Sequence, residues 1–152
     1  MRRKVTALAL LLAFSSFTFV FSQNKITMAS RLNRVVDKVR IKDQQWELRL
    51  KVLDQKKAMA GWRSGKQEAL VKIFEYDSEA EAITAFRSNE RMMTNAGIPA
   101  ALKNLGDEAN LWADKPPRGT ALTFRKGTIL VLVNADSAQI ARKFANYVRE
   151  QL

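Results

Sequence analysis

The spacing of the apolar residues switches repeatedly between helical and strand periods along this chain, and that alternation bounds the fold more tightly than any motif. Over 27–40, Leu32, Val35, Val36 and Val39 recur at helical spacing. Thr27 or Ser30 is placed to cap the start, and Arg31, Arg34, Lys38 and Arg40 give a basic outer face. The period then falls to two. Trp46, Leu48, Leu50 and Val52 alternate with Glu47, Arg49 and Lys51, which predicts a half-buried strand with one wet face. Residues 54–68 are polar and contain Gly61 and Gly65, which predicts a long hairpin connection. Val71, Ile73, Phe74 and Tyr76 mark a second strand over 70–76.

Helical signals return at Ser78-Glu79-Ala80-Glu81, a capping box in which a Ser cap is followed three residues on by Glu. Ala82, Ile83, Phe86 and Met93 form the stripe of a helix predicted to reach Ala96, where Gly97 supplies a left-handed stop and Pro99 bars resumption. A short strand over 109–113, a rigid connection at Lys115-Pro116-Pro117-Arg118-Gly119, and strands over 121–125 and 128–135 joined at Lys126-Gly127 follow. The run Ile129-Leu130-Val131-Leu132-Val133 is continuously apolar, so that strand is expected to be central. Asp136-Ser137 caps a last helix with Ile140, Ala141, Phe144, Val148 and Leu152 on its stripe. Phe144 and Val131 are expected core residues. Short connections pair strands antiparallel, and amphipathic helices must bury their stripes on the sheet. The expectation is therefore an α+β sandwich, an antiparallel sheet of about five strands with helices packed on it.

The first residues read differently. Arg2, Arg3 and Lys4 precede an uncharged apolar run from Val5 to Phe21, and small Val20 and Ser22 stand at −3 and −1 of a cut before Gln23. This is the pattern of a secretory signal peptide over 1–22, leaving a single domain over 23–152 that is periplasmic or secreted. The alternative is a retained anchor, for which the run sits at the short edge of the about 17–25 residues a spanning helix needs. No Cys follows the run, which excludes a lipid-anchored lipoprotein.

The chain has 0 Cys and 0 His. That removes a thiol nucleophile, an imidazole base and a His/Cys zinc site, and it leaves the domain to be held by packing alone. Of 26 Lys and Arg, three lie in the leader, leaving 23 against 15 acidic residues and a net charge of +8. Such a charge favours anionic partners. In an exported protein those are acidic envelope proteins, envelope polymers or lipid headgroups rather than nucleic acid.

Lys56, Lys57, Arg63 and Lys66 surround Met59 and Trp62 in the 54–68 connection. Cations around an aromatic suit an anionic surface with an apolar layer, which makes Lys56, Lys57, Trp62, Arg63 and Lys66 the candidate contact residues. In the alternative, Trp62 folds onto the domain and the cations are simply solvated. Asp107 and Glu108 are adjacent carboxylates, but neighbours on a strand point to opposite faces and are not expected to converge on one substrate, which leaves them as a turn residue and a strand-entry charge. Arg125 and Lys126 are expected at a solvated hairpin tip, with Lys115 and Arg118 in the preceding connection. Trp46, Phe74, Phe86, Trp112, Phe124, Phe144 and Tyr147 are expected to pack in the core. Ser64-Gly65-Lys66 lacks the earlier glycine of a phosphate loop, and no serine has a G-x-S-x-G or S-x-x-K context. No cofactor or metal motif is present.

Leu105-Gly106-Asp107-Glu108-Ala109, then Phe124-Arg125-Lys126-Gly127 before an apolar strand and a C-terminal amphipathic helix, form a familiar series. It resembles small exported bacterial domains, among them extracellular sensor-type domains of bacterial serine/threonine kinases and related secreted lipoproteins. The resemblance covers 70–152. It implies an α/β sandwich and carries over no catalytic residues, and this chain departs from many such proteins in lacking their Cys residues and lipobox. The expected function is a non-enzymatic binding or sensor-like module of the bacterial cell envelope. The alternatives are a peripheral binder of anionic lipid or polymer acting through the 54–68 segment, and a hydrolase-type enzyme using carboxylates.

Overall fold

A computed structural model describes residues 26–93, 96–113 and 119–152. The signal-peptide reading for 1–22 and the cations Lys115 and Arg118 lie outside the described residues. The chain runs α1 (Met28–Lys42), β1 (Glu47–Leu53), β2 (Lys57–Ser64), β3 (Gln67–Glu75), α2 (Glu79–Met92), β4 (Ala100–Ala101), β5 (Glu108–Ala113), β6 (Thr120–Lys126), β7 (Ile129–Ala135) and α3 (Ala138–Arg149). The strands form one sheet of seven in the order β1-β2-β3-β7-β6-β5-β4, with every neighbouring pair antiparallel. The α+β class holds, and the continuously apolar β7 is the central strand. The strand number does not match the expected count of about five.

The largest difference is β2, which occupies the segment expected to be a long connection. Its inward residues Ala58, Ala60 and Trp62 are buried, alternating with Met59, Gly61 and Arg63. Alanine and glycine are poor strand signals because they offer little side chain to a pleated surface. The small size of Ala58 and Ala60 is what lets α1 lie close over this strand. The turn after β2 is tight, with Gly65 in the left-handed region at φ 60°. The other added strand, β4, has two residues and pairs only with β5 among the described residues.

Caps fall where side-chain chemistry allows. Thr27, rather than Ser30, caps α1 and accepts from the Ser30 N–H at 3.2 Å. Ser78 caps α2 through the Glu81 N–H, while the Glu81 carboxylate accepts from the N–H of Asp77. The α2 helix stops at Met92, short of the expected Ala96. Ser137 caps α3.

Helices α1 and α3 share one face of the sheet. Leu32, Val35 and Val39 from α1 and Ile140, Phe144 and Val148 from α3 meet Val71, Ile73, Leu122, Phe124, Val131 and Val133 in a single core. Phe144 and Val131 are fully buried, as expected. Phe144 is the hub of an aromatic cluster, with ring centroids 5.1 Å from Trp46, 5.0 Å from Trp62 and 6.1 Å from Tyr147. Among the described residues the second face carries only α2, which contacts β6 and β7. Phe86, Trp112 and Leu130 are buried on that side. The half of this face formed by β1, β2 and β3 has no helix over it among the described residues.

Candidate functional site

The uncovered half of the sheet begins at a β-bulge. Leu48 pairs with Trp62 and Leu50 with Gly61, so Arg49 is the extra residue. The bulge reverses the phase of β1. Leu48 stays on the side of α1 and α3, whereas Leu50 and Val52 turn to the uncovered face beside Gly61 and Met59. The expected strand with one buried apolar edge is therefore corrected: the whole of β1 is exposed, with Leu50 at 43% and Val52 at 40%. Sequence alternation alone places Leu48, Leu50 and Val52 together, because an inserted residue is invisible to a period of two.

Across β2, Gly61 leaves a dip between two leucines. A Cβ there would lie 3.5 Å from both Leu50 Cβ and Leu70 Cδ1, ordinary contact distance. The register continues the face through Met59, Leu70, Lys72 and Phe74. At one end it runs into an open cleft of about 360 Å³ lined by Arg49, Gly61, Arg63, Leu70, Asn134 and Asp136. The charged residues of this half-face are Arg49, Lys57, Arg63 and Lys72 against Glu47 and Glu68. Glu47 pairs with Arg49 at 2.5 Å, and Glu68 pairs with Arg63. These are exposed pairs, worth little against solvent.

The candidate contact residues of the 54–68 segment do not form one loop. Trp62 is 3% exposed and packs on Phe144 from the side opposite the bare face. Lys56, in the β1–β2 turn, donates to Asp77 at 2.5 Å. Lys57 sits over the Phe74 ring at 5.8 Å. Lys66 is exposed in the β2–β3 turn, at the other end of the strand from Lys56. A surface built on Trp62 with cations around it is thus corrected: strand pairing turns the indole inward and separates the lysines by the length of β2.

The two segments that carry the family resemblance are one structural unit. Asp107 precedes β5 in a turn, so strand alternation does not govern it, and its N–H donates to the Arg125 carbonyl at 2.8 Å. The Asp107 carboxylate accepts from the Gly127 N–H at 2.8 Å and lies 3.0 Å from Arg125 Nη1. Glu108, paired across the ladder with Arg125, reaches its Nε at 3.3 Å. Asp107, a turn residue, and Glu108, the strand-entry charge, therefore both reach Arg125. Arg125 is itself 5% exposed rather than solvated, and it also donates to Glu79 at 2.9 Å. Lys126 is exposed. Arg87 on α2 pairs with Glu90 and Glu108, Asn110 donates to Glu90, and Thr123 donates to Asn89 at 2.8 Å. This polar seam fastens α2 to β5 and β6. Sequence reasoning missed it because Arg125 and Glu79 are far apart in the chain.

A second polar tie joins α1 to α3. Tyr147 donates to Asp43 at 2.5 Å, and Lys143 lies 3.1 Å from the same carboxylate. Burial pushes the Tyr147 hydroxyl up to about 12, helped by its bond to Asp43. Burial raises the Asp43 carboxyl, but the bonds from Tyr147 and Lys143 outweigh it and hold the group below its ordinary value.

Among the described residues, no cluster of His, Cys, Asp and Glu could hold a metal ion, and no helix is long and apolar enough to cross a membrane. No protein-family profile, curated protein or solved structure matches the chain.

Proposed function

We propose that this chain is an exported, non-enzymatic binding module of the bacterial cell envelope, and that the uncovered half of its sheet meets an acidic envelope protein. One observation carries the reading. A helix covers β6 and β7 on the second face, while Leu50, Val52, Met59 and Leu70 on the other half are left without one among the described residues. A contiguous apolar face rimmed by charge is a common mark of an interaction surface. The chain's excess of cations supports an acidic partner. The acids best placed for chemistry, Asp107 and Glu108, are engaged with Arg125, which supports binding over catalysis.

The test is site-specific photocross-linking in intact cells. A photoreactive residue at Leu70 should give one protein adduct in the envelope fraction, and one at Arg142, on the exposed side of α3, should not. Leu50→Asp should abolish the Leu70 adduct. Equal adducts from both positions, adducts with lipid alone, or none would overturn the reading.

A further inference from the structure

The outer edge of β1 suggests how such a partner would be held. β1 ends the sheet and pairs with β2 alone among the described residues. The Asp54 N–H donates to the Lys57 carbonyl at 2.8 Å, which fixes the phase of the ladder. Antiparallel pairs alternate between bonded and non-bonded, so the bonds to β2 fall at Asp54, Val52 and Leu50. The backbone N–H and C=O groups of Lys51 and Leu53 consequently point away from β2, along the open edge.

The charge pattern on this edge is selective. Aligning β1 antiparallel with a second copy about Leu50 sets Leu48 against Val52 and Arg49 against Lys51, pairs that the bulge turns to opposite faces. Centring on Arg49 places that residue against itself. Like charges directly opposite are destabilising, and the bulge at Arg49 further breaks a flat edge. A segment alternating acidic and apolar residues faces no such cost. Its acids would lie on the side of Lys51, and its apolar side chains, on the opposite side, would extend the Leu50–Val52 face. We infer that β1 accepts an extended acidic–apolar segment of a partner protein as an added antiparallel strand. The inference rests on the binding reading above and adds the mode of recognition, in which backbone bonds supply affinity and alternate side chains supply specificity.

The probe is a capped peptide of alternating Val and Glu, matched in length to β1, added to the protein purified after expression of the full chain. The same peptide with Lys in place of Glu is the control. The Val/Glu peptide should bind, more weakly as salt is added, and the Val/Lys peptide should not. Binding should slow exchange of the Lys51 and Leu53 amide protons by about tenfold or more, with the Val52 amide little changed. Leu53→Pro removes one outward N–H at a position where an edge strand tolerates proline, and should weaken binding by about tenfold. The exchange measurement on the unaltered protein decides the matter if that variant folds poorly. Strand addition is overturned if the Val/Glu peptide fails to bind, if it binds without protecting Lys51 and Leu53, or if the Val/Lys peptide binds as well. Loss of binding in Leu70→Asp with Leu53→Pro unaffected would overturn the edge mode yet leave the face as the contact surface.

Discussion

The Arg125 guanidinium and the Asp107 carboxylate lie 3.0 Å apart while the Asp107 N–H donates to the Arg125 carbonyl at 2.8 Å, so the two residues hold each other through both side chain and backbone. Because Arg125 is buried, truncating it leaves Glu108 half-buried without a cation it now uses. Arg125→Ala should cost about 2 kcal/mol, the scale of a hydrogen bond to a charged group. Asp107→Ala should cost less, since Asp107 is more exposed. Asp107→Asn should cost least, because its amide oxygen can still accept from Gly127. Urea melts of the three variants check the order, and an activity abolished by Asp107→Asn with the fold intact would contradict the binding reading.

Two glycines should respond in opposite directions to the same change. At Gly106 a Cβ would collide with the Arg125 carbonyl oxygen, a backbone atom that cannot swing aside. At Gly61 a Cβ meets Leu50, Leu70 and the Ala69 carbonyl oxygen, all at ordinary distance. Gly61→Ala should therefore stabilise by roughly 0.4–1 kcal/mol through the lower entropy of the unfolded chain. Gly106→Ala should destabilise and disturb the Asp107–Arg125 contact. Denaturation midpoints of the two variants provide the measurement.

The Tyr147–Asp43 bond makes a prediction at each end of the pH scale. Tyr147 titrates at about 12 in the folded chain against 10.0 ordinarily. The neutral phenol is the favoured form, so its contribution is complete below the ordinary value and is lost as pH rises towards the folded one. Asp43 is held low, so its contribution is complete above its ordinary value and is lost as pH falls through its folded one. Asp43→Asn should bring the Tyr147 titration down towards its ordinary range, measured by tyrosinate absorbance in a Tyr76→Phe background. No change on substitution would mean that burial alone sets the shift.

The helices were legible because each carries local signals of its own. Ser78 and Ser137 cap where expected, and the α3 stripe through Ile140, Phe144 and Val148 is the one buried. β7 was legible as the central strand because a strand covered on both faces is apolar throughout. β2 was not, since Ala58, Ala60 and Gly61 owe their place to the helix above and the leucines beside them rather than to any strand preference. The candidate face was hidden for a related reason: the bulge at Arg49 splits one apparent stripe between two faces. Asp107 and Glu108 were visible as a pair, but their common partner Arg125 is brought to them by strand pairing, which no local pattern records.

The packing of Trp62 on Phe144 separates a buried strand residue from a surface-binding one. Their centroids are 5.0 Å apart with the rings tilted by 46°, and Phe144 is fully buried. Phe144→Ala should cost roughly 3–5 kcal/mol, because the cavity would open beneath both α1 and α3. Trp62→Ala should cost a similar amount, a loss that a solvated loop tryptophan would not show. Contacting residues are not additive, since the second truncation removes a partner already missing. The double variant should accordingly lose less than the sum of the single ones, by roughly 0.5–1.5 kcal/mol for an aromatic pair. Conservative variants, Trp62→Phe and Phe144→Leu, supply the same cycle if the alanine variants unfold. Additive losses, or a Trp62 variant as stable as the parent, would show that the indole does not contribute to the core.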